Sequence, residues 1–484
     1  MQRNKDGEQK LFNQFGLFSL FFILSVTTLS AESFADFKSV QSATFSSYKD
    51  QKDNEFNKYL KKQWQEYQAF ITPSFYKKEK PKNISSVLKK EPKKVGPIVK
   101  IQLPSSQKSP QKTAPITALE KGKKIDFFGQ TLTFAKDPKI NGAQFYPEGQ
   151  AGIANFFSIL ASSDYTTTLD EIEEYRKKLE LNDWGVYLLV TKLAKHTYSD
   201  KNEAKIYAWF LFNKLRFDVK IALNERKNVY LLHYTKNRVY STPRYTFNQK
   251  HYYILEPYSK SEIAKIYTCV QEYPDANKAL DFTLKKLPLF AQEIANKELL
   301  FHENKKQYQF SFRYNKEIFD FLNTYPQVDY SVYFNAPMEN VTYEDLVKSI
   351  KKYVDGMKMS EALDFVLHFV QKSFKYERDQ EQFGKEKVMF AEETLVYDAS
   401  DCEDRAILFS YLVKHVFGIS VLGIKYSDHM STALYIPMKG DDVIYHRRRY
   451  VLADPTYINA NVGQEIAKYR NIQPDSFIFL HSSY

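Results

Sequence analysis

The sequence predicts an α+β fold, on three observations. Cys402 opens a run with apolar residues at Ile407, Leu408, Tyr411, Leu412 and Val416, the spacing of a helix with one buried face. His429 precedes a strand-like run over 431–436, and Asp454 ends another over 450–453, where Pro455 stops the ladder. The chain also matches itself at a shift of 200 residues, helix falling on helix and strand on strand.

Taken in order, the N-terminus carries Arg3, Lys5 and Lys10, an apolar run over 17–29, and small residues at Ser30, Ala31, Ser33 and Ala35. That is the layout of a secretory signal peptide over 1–35, cleaved near Ala31 or Ala35, and the run is short for a membrane span. An uncleaved anchor is the alternative. Either way the folded chain is expected outside the cytoplasm, periplasmic or associated with the cell envelope.

Residues 40–72 carry an eleven-residue repeat, Phe45, Phe56 and Tyr67 in one row and Tyr48, Tyr59 and Phe70 in another. Eleven residues close almost three helical turns, so the six aromatics are expected as one stripe on a polar helix. Such a stripe serves self-association or docking on an envelope component, or packs on the rest of the chain. Residues 73–124 hold seven prolines and fourteen lysines against three acids, which accounts for the whole formal charge of +11. The stretch reads as a flexible basic linker, and a basic groove for nucleic acid on a folded domain is not indicated. Contact with anionic envelope polymers or lipid surfaces is the second use of such a tether.

Structured sequence resumes at 125. Helices are expected over 170–181, 184–195 and 202–215, then strands over 217–222, 229–234 and 252–255. Residues 261–339 read as a mixed connecting segment, with a helix over 277–287 and strands over 308–314 and 330–334. Helices over 343–353 and 360–374 lead into the region of Cys402. The self-match makes 125–260 a degenerate copy of 340–484. At a shift of 200 residues Asn202 falls on Cys402 and Val229 on His429. A two-residue slip puts Glu256 on Asp454. Asn202 and Val229 can serve neither as thiolate nor as base, so this copy is suited to binding or positioning substrate.

The chemistry lies in Asp401-Cys402-Glu403-Asp404-Arg405, Asp428-His429-Met430 and Ala453-Asp454-Pro455. A thiol becomes a nucleophile when the positive end of a helix and a nearby imidazole favour its thiolate, and a carboxylate can fix that imidazole's tautomer. Cys402, His429 and Asp454 therefore read as nucleophile, general acid/base and orienter. Glu403 and Asp404 suit a helix start and are expected to point away from the sulfur. Gln371 is the upstream candidate for a side-chain oxyanion donor, with an ordinary exposed polar position as its alternative; Tyr376 and Gln380 are weaker. Cys269, in an apolar run without a basic neighbour, is expected to be inert. The chain shows no metal-ligand cluster, glycine-rich phosphate loop or dinucleotide fingerprint, so no metal and no cofactor is expected.

These three motifs resemble the bacterial transglutaminase-like cysteine enzymes, a branch of the papain-like superfamily, over about residues 340–484. The resemblance implies a core in which the nucleophile helix packs on an antiparallel sheet that carries base and orienter on adjacent strands. It also implies attack of the thiolate on a carboxamide, with water or an amine taking the acyl group. The expectation is an exported thiol enzyme acting on amide bonds of peptides, proteins or the peptide part of the cell wall. The rival is a non-catalytic envelope scaffold with a vestigial triad.

Overall fold

A computed structural model describes residues 31–73, 86, 87, 89–91, 93–104, 122–258 and 263–480. The leader read over 1–35 lies outside the described residues as far as Ser30. The chain divides into two units, residues 1–55 and 56–484. The described part of the first belongs to helix α1 (Ala31–Lys62), whose last residues lie in the second. No helix of the described residues is long and apolar enough to cross a membrane.

The eleven-residue stripe is not one helix. α1 ends at Lys62, and the chain continues as β1 (Trp64–Gln68) and β2 (Phe70–Ile71), so Tyr67 and Phe70 lie in strands. The aromatic-rich end of the repeat suits a pleated edge better than a polar helix. Phe56, in the last turns of α1, is buried edge-on against Phe157 and Tyr273, centroids 5.5 and 5.1 Å away.

Of the segment read as a free linker, residues 93–104 run extended over the turn between two later helices. Val99 exchanges backbone hydrogen bonds with Met357 (2.8 Å) and Gly356 (2.9 Å), Met359 N–H donates to Pro97 O (2.9 Å), and Ile101 N–H donates to Asp355 Oδ1 (2.9 Å). Val99 and Ile101 are buried. Two apolar residues at alternate positions are enough to fasten an otherwise polar strap whose backbone finds partners.

Beyond the hairpin β3 (Lys123–Phe127) and β4 (Gln130–Phe134), α2 (Pro138–Asn141), α3 (Gln150–Ala161), α4 (Tyr165–Lys178) and α5 (Asp183–Thr197) lead to α6 (Lys201–Lys214). α6 packs on β5 (Val219–Leu223) and β6 (Val229–Tyr234). β7 (Pro243–Phe247), β8 (Lys250–Tyr253) and β9 (Lys265–Cys269) follow, and the antiparallel order across the sheet, with β1 and β2 at its margins, is β2-β7-β8-β6-β5-β9-β1. Next come the long hairpin β10 (Ile294–Glu303) and β11 (Lys306–Asn315), then α7 (Lys316–Asn323), α8 (Tyr330–Phe334), α9 (Asn340–Val354) and α10 (Met359–Lys372). β12 (Lys375–Tyr376), α11 (Asp379–Gln382), α12 (Ala391–Val396) and β13 (Ala399–Ser400) are short.

α13 (Cys402–Phe417) then packs on β14 (Val421–Lys425) and β15 (Met430–Leu434), followed by β16 (Asp442–Tyr445), β17 (Arg448–Ala453) and β18 (Ser476–Phe479). Their antiparallel order is β16-β17-β15-β14-β18. Strand for strand this is the order of the five inner strands of the first sheet, β7-β8-β6-β5-β9. The hairpin turns agree as well: Asn248 and Gln249 have φ of 47° and 65°, and His446 and Arg447 have 47° and 64°. Two left-handed residues in a row match the twist of a two-residue hairpin.

The fold is therefore mixed α+β with antiparallel, curled sheets. Two elements differ from expectation. Residues 330–334 form helix α8 instead of a strand, and among 277–287, expected helical, no helix occurs. The latter stretch is tied down by single backbone bonds, Lys278 N–H to Arg216 O and Leu280 N–H to Tyr234 O, which a helix would forfeit.

Candidate active site

Helix α13 begins where the sequence requires it to. Asp401 is the N-cap, and its N–H donates to Asp404 Oδ2 (3.2 Å), while Asp404 Oδ1 accepts from Met389 N–H (2.8 Å). An acid at the third helical position that reaches back to the cap satisfies a donor that the helix cannot. At the other end Gly418, φ 66°, supplies the left-handed C-cap. Cys402 is thereby fixed in the first turn and fully buried, 0% exposed.

Glu403 does not point away. Cys402 Sγ donates to Glu403 Oε2 at 3.1 Å, and both side chains are buried. A carboxylate that accepts the S–H holds the proton on sulfur, the reverse of the expected arrangement.

His429 immediately precedes β15, and Asp454 immediately follows β17, strands that pair directly with Thr432 opposite Ala453. This adjacency brings His429 Nε2 to 2.8 Å from Asp454 Oδ2. The other Asp454 oxygen accepts from Thr456 N–H (2.9 Å) and the Thr456 hydroxyl (2.6 Å). Burial alone would raise the Asp454 carboxyl; the His429 imidazole and the Thr456 donors outweigh it and hold the group below the usual carboxylate range. His429 Nδ1 is buried without a hydrogen-bond partner. The imidazole is thus oriented through one nitrogen, and the other is left over.

Gln371 is buried on α10, and its amide is spent on the turn after Asp454. Nε2 donates to Asp454 O (3.0 Å) and Ala460 O (3.1 Å), and Oε1 accepts from Asn459 N–H (3.1 Å). It shapes the backbone that carries Asp454 and is not free to serve as an oxyanion donor. Arg405 is buried as well, bonded to Ser400 Oγ (3.1 Å), Gln371 O (3.1 Å) and Phe374 O (2.8 Å), with Tyr376 under its guanidinium. Burial pulls it down to about 10, so it remains charged at neutral pH.

Sequence reasoning missed Tyr469 and Thr456. Tyr469 stacks on the His429 ring at 4.8 Å and 14°, and its hydroxyl donates to Asp428 Oδ1 (3.2 Å). The neighbouring Lys468 ammonium binds Asp428 too. Nothing local in the sequence points to Tyr469. Thr456, two residues after an Asp, was findable as an Asx turn. Among the described residues, donor atoms that could hold a metal ion lie within 4.8 Å of one another in the sets Asp401–Cys402–Glu403, Asp379–Glu386–Glu403 and Asp379–Asp401–Asp404; only the last two are all-oxygen sets suited to a hard cation.

The ladders adjust two of the three positions in the earlier sheet. Its N-cap is Asp200, which makes Lys201, not Asn202, the helix-opening residue. Leu223 pairs with Val229 as Lys425 pairs with Met430, so Asn228, not Val229, stands where His429 does. His233 pairs with Tyr253 as Leu434 pairs with Val451, which puts Glu256 at the position that Asp454 has in the later sheet. Asn202 Oδ1 instead accepts from Val229 N–H (2.9 Å), and the Lys205 ammonium bridges Val229 O (2.7 Å) and Glu256 (3.0 Å). An open cleft of about 1150 Å³ lies at the far end of that sheet. Several of its cations are already paired, Lys278 and Arg176 with Asp183 and Lys250 with Asp218, and it offers no nucleophile–base pair.

No protein-family model, no characterised protein and no solved structure matches this chain.

Proposed function

We propose that this chain is an exported cysteine enzyme with a papain-like, transglutaminase-like core over 340–484, preceded by a degenerate copy of the same core, and that it acts on amide bonds of peptides, proteins or wall peptides. The observation that carries the reading is the buried His429–Asp454 pair: the carboxylate takes Nε2 and leaves Nδ1 for a proton from the thiol at the start of α13. In the reaction the Cys402 sulfur attacks the carboxamide carbon, Nδ1 takes the thiol proton and passes it to the departing amine, and water or a second amine releases the acyl group. The Cys402 backbone N–H, among the first donors of the helix, suits the oxyanion. No cofactor enters this scheme.

The rival reading, a scaffold with a vestigial triad, draws on one observation. Cys402 and His429 are both fully buried, and the thiol is held by Glu403. Incubation of wall fragments and envelope proteins with the wild type and with Cys402→Ala, followed by mass spectrometry, distinguishes the two. Bonds broken or made by the wild type alone support the enzyme, and identical spectra together with no covalent adduct from a thiol-directed acyl probe support the scaffold.

A further inference from the structure

The two sheets share their strand order but differ at their margins. In the first, only Ala69 separates β1 from β2; β1 pairs with β9 from Trp64↔Cys269 to Gln68↔Lys265, and β2 pairs with β7 at Phe70↔Arg244. Both margins of the five strands therefore meet on one segment, 64–71, and the sheet closes on itself. In the second, the corresponding margins are β16 and β18, and no strand of the described residues lies between them. The margins nonetheless face each other: the rings of Tyr445 on β16 and Phe477 on β18 are 5.0 Å apart. At the same place before the turn of the first sheet, Phe247 packs on Tyr67 of the inserted segment at 4.4 Å.

We propose that the seam between β16 and β18 is a docking slot for an extended segment of a partner polypeptide that carries aromatic and carboxylate side chains. Edge strands offer unpaired backbone groups to an added strand. Here they also expose Ile444 (60%) and Phe479 (37%). The charge requirement comes from the hairpin tip, where Arg447 and Arg448 are exposed with no carboxylate partner among the described residues. The segment that fills the first sheet uses the same chemistry: Glu66 pairs with Lys265 of β9 at 3.0 Å, and Arg244 of β7 lies 4.5 Å over the Phe70 ring. This inference does not depend on catalysis.

The probe is a synthetic peptide of residues 64–72, added in excess to the full chain and followed by hydrogen–deuterium exchange. The expected result is slower exchange of residues 442–445 and 476–479, weakened by added salt, by Glu→Lys in the peptide and by Arg447→Glu with Arg448→Glu in the protein. These two arginines are exposed, so the double variant should fold, and unchanged exchange elsewhere verifies that it has. No slowing in either strand, slowing confined to β7 and β9, or slowing that the charge reversals leave unaltered overturns the proposal. Slowing without peptide that rises with protein concentration, together with a dimer in light scattering, assigns the slot to a second copy and equally overturns it.

Discussion

Tyr469 lies flat on the His429 imidazole, centroids 4.8 Å apart and planes 14° from parallel, with its hydroxyl on Asp428. The imidazole is thereby roofed by a turn segment that is not part of the sheet. Removing the ring of this buried residue, Tyr469→Ala, should cost roughly 3–5 kcal/mol of stability and expose the imidazole. Alkylation of Cys402 by limiting iodoacetamide should become several-fold faster, while that of Cys269, buried with its thiol pushed up by burial, stays slow. An unchanged Cys402 rate would mean that another segment closes the site.

Glu403 gives the second test. Because its carboxylate accepts the Cys402 S–H, Glu403→Gln removes a negative charge that opposes a second one on sulfur. Iodoacetamide labelling of Cys402 at pH 7 should rise, by mass spectrometry of the tryptic peptide. Glu403→Asp, which keeps the charge, should change the rate far less.

Asp454 links the site to acid stability. Its carboxyl is held below the usual range, against burial, chiefly by His429. A depressed folded value contributes stability that is present above the unfolded value of about 4 and lost as pH falls through the folded one. Urea unfolding of Asp454→Asn should therefore show a shallower loss of stability below pH about 4 than the wild type. On the proposed function, turnover should fall about 10²- to 10⁴-fold, since the asparagine cannot stabilise the imidazolium.

Much of this site was legible in the chain, and the reason is local. Cys402 at a helix start, His429 before a strand and Asp454 after one are each dictated by patterns within a few residues, and pairing of the two strands brings His429 to Asp454. What was not legible depends on distant packing. Gln371 meets the turn at 454–460 only because α10 lies beneath it, and Glu403 turns inward because the surrounding chain buries it. The six-aromatic stripe failed for a related reason: periodicity alone could not reveal that two open sheet margins would take up residues 64–71 as strands. The self-match located the second sheet, but a fixed shift misassigns residues wherever a loop differs in length, as the five residues between β5 and β6 do against the four between β14 and β15.

Gln371→Ala tests a positioning role. Loss of its three backbone contacts should destabilise the fold by roughly 1–3 kcal/mol and lower kcat with little change in KM. Gln371→Glu keeps the acceptor for Asn459 but loses the donors to Asp454 O and Ala460 O, so it should not restore turnover. A pH–rate profile that shifts together with kcat would tie the loss to His429, through the displaced Asp454, and set it apart from simple unfolding.

The strap over the α9–α10 turn changes what proteolysis should show. Lys93 and Lys100 flank residues whose backbone bonds to Met357, Met359 and Ser360 hold them extended, and a protease must draw out several residues to cut there. Brief trypsin treatment of the folded chain should leave both sites intact while exposed lysines elsewhere are cut. Val99→Asp with Ile101→Asp, which places charge where two apolar side chains are buried, should release the strap and make both sites labile. Rapid cleavage at Lys100 in the wild type would show that the strap is not held in solution.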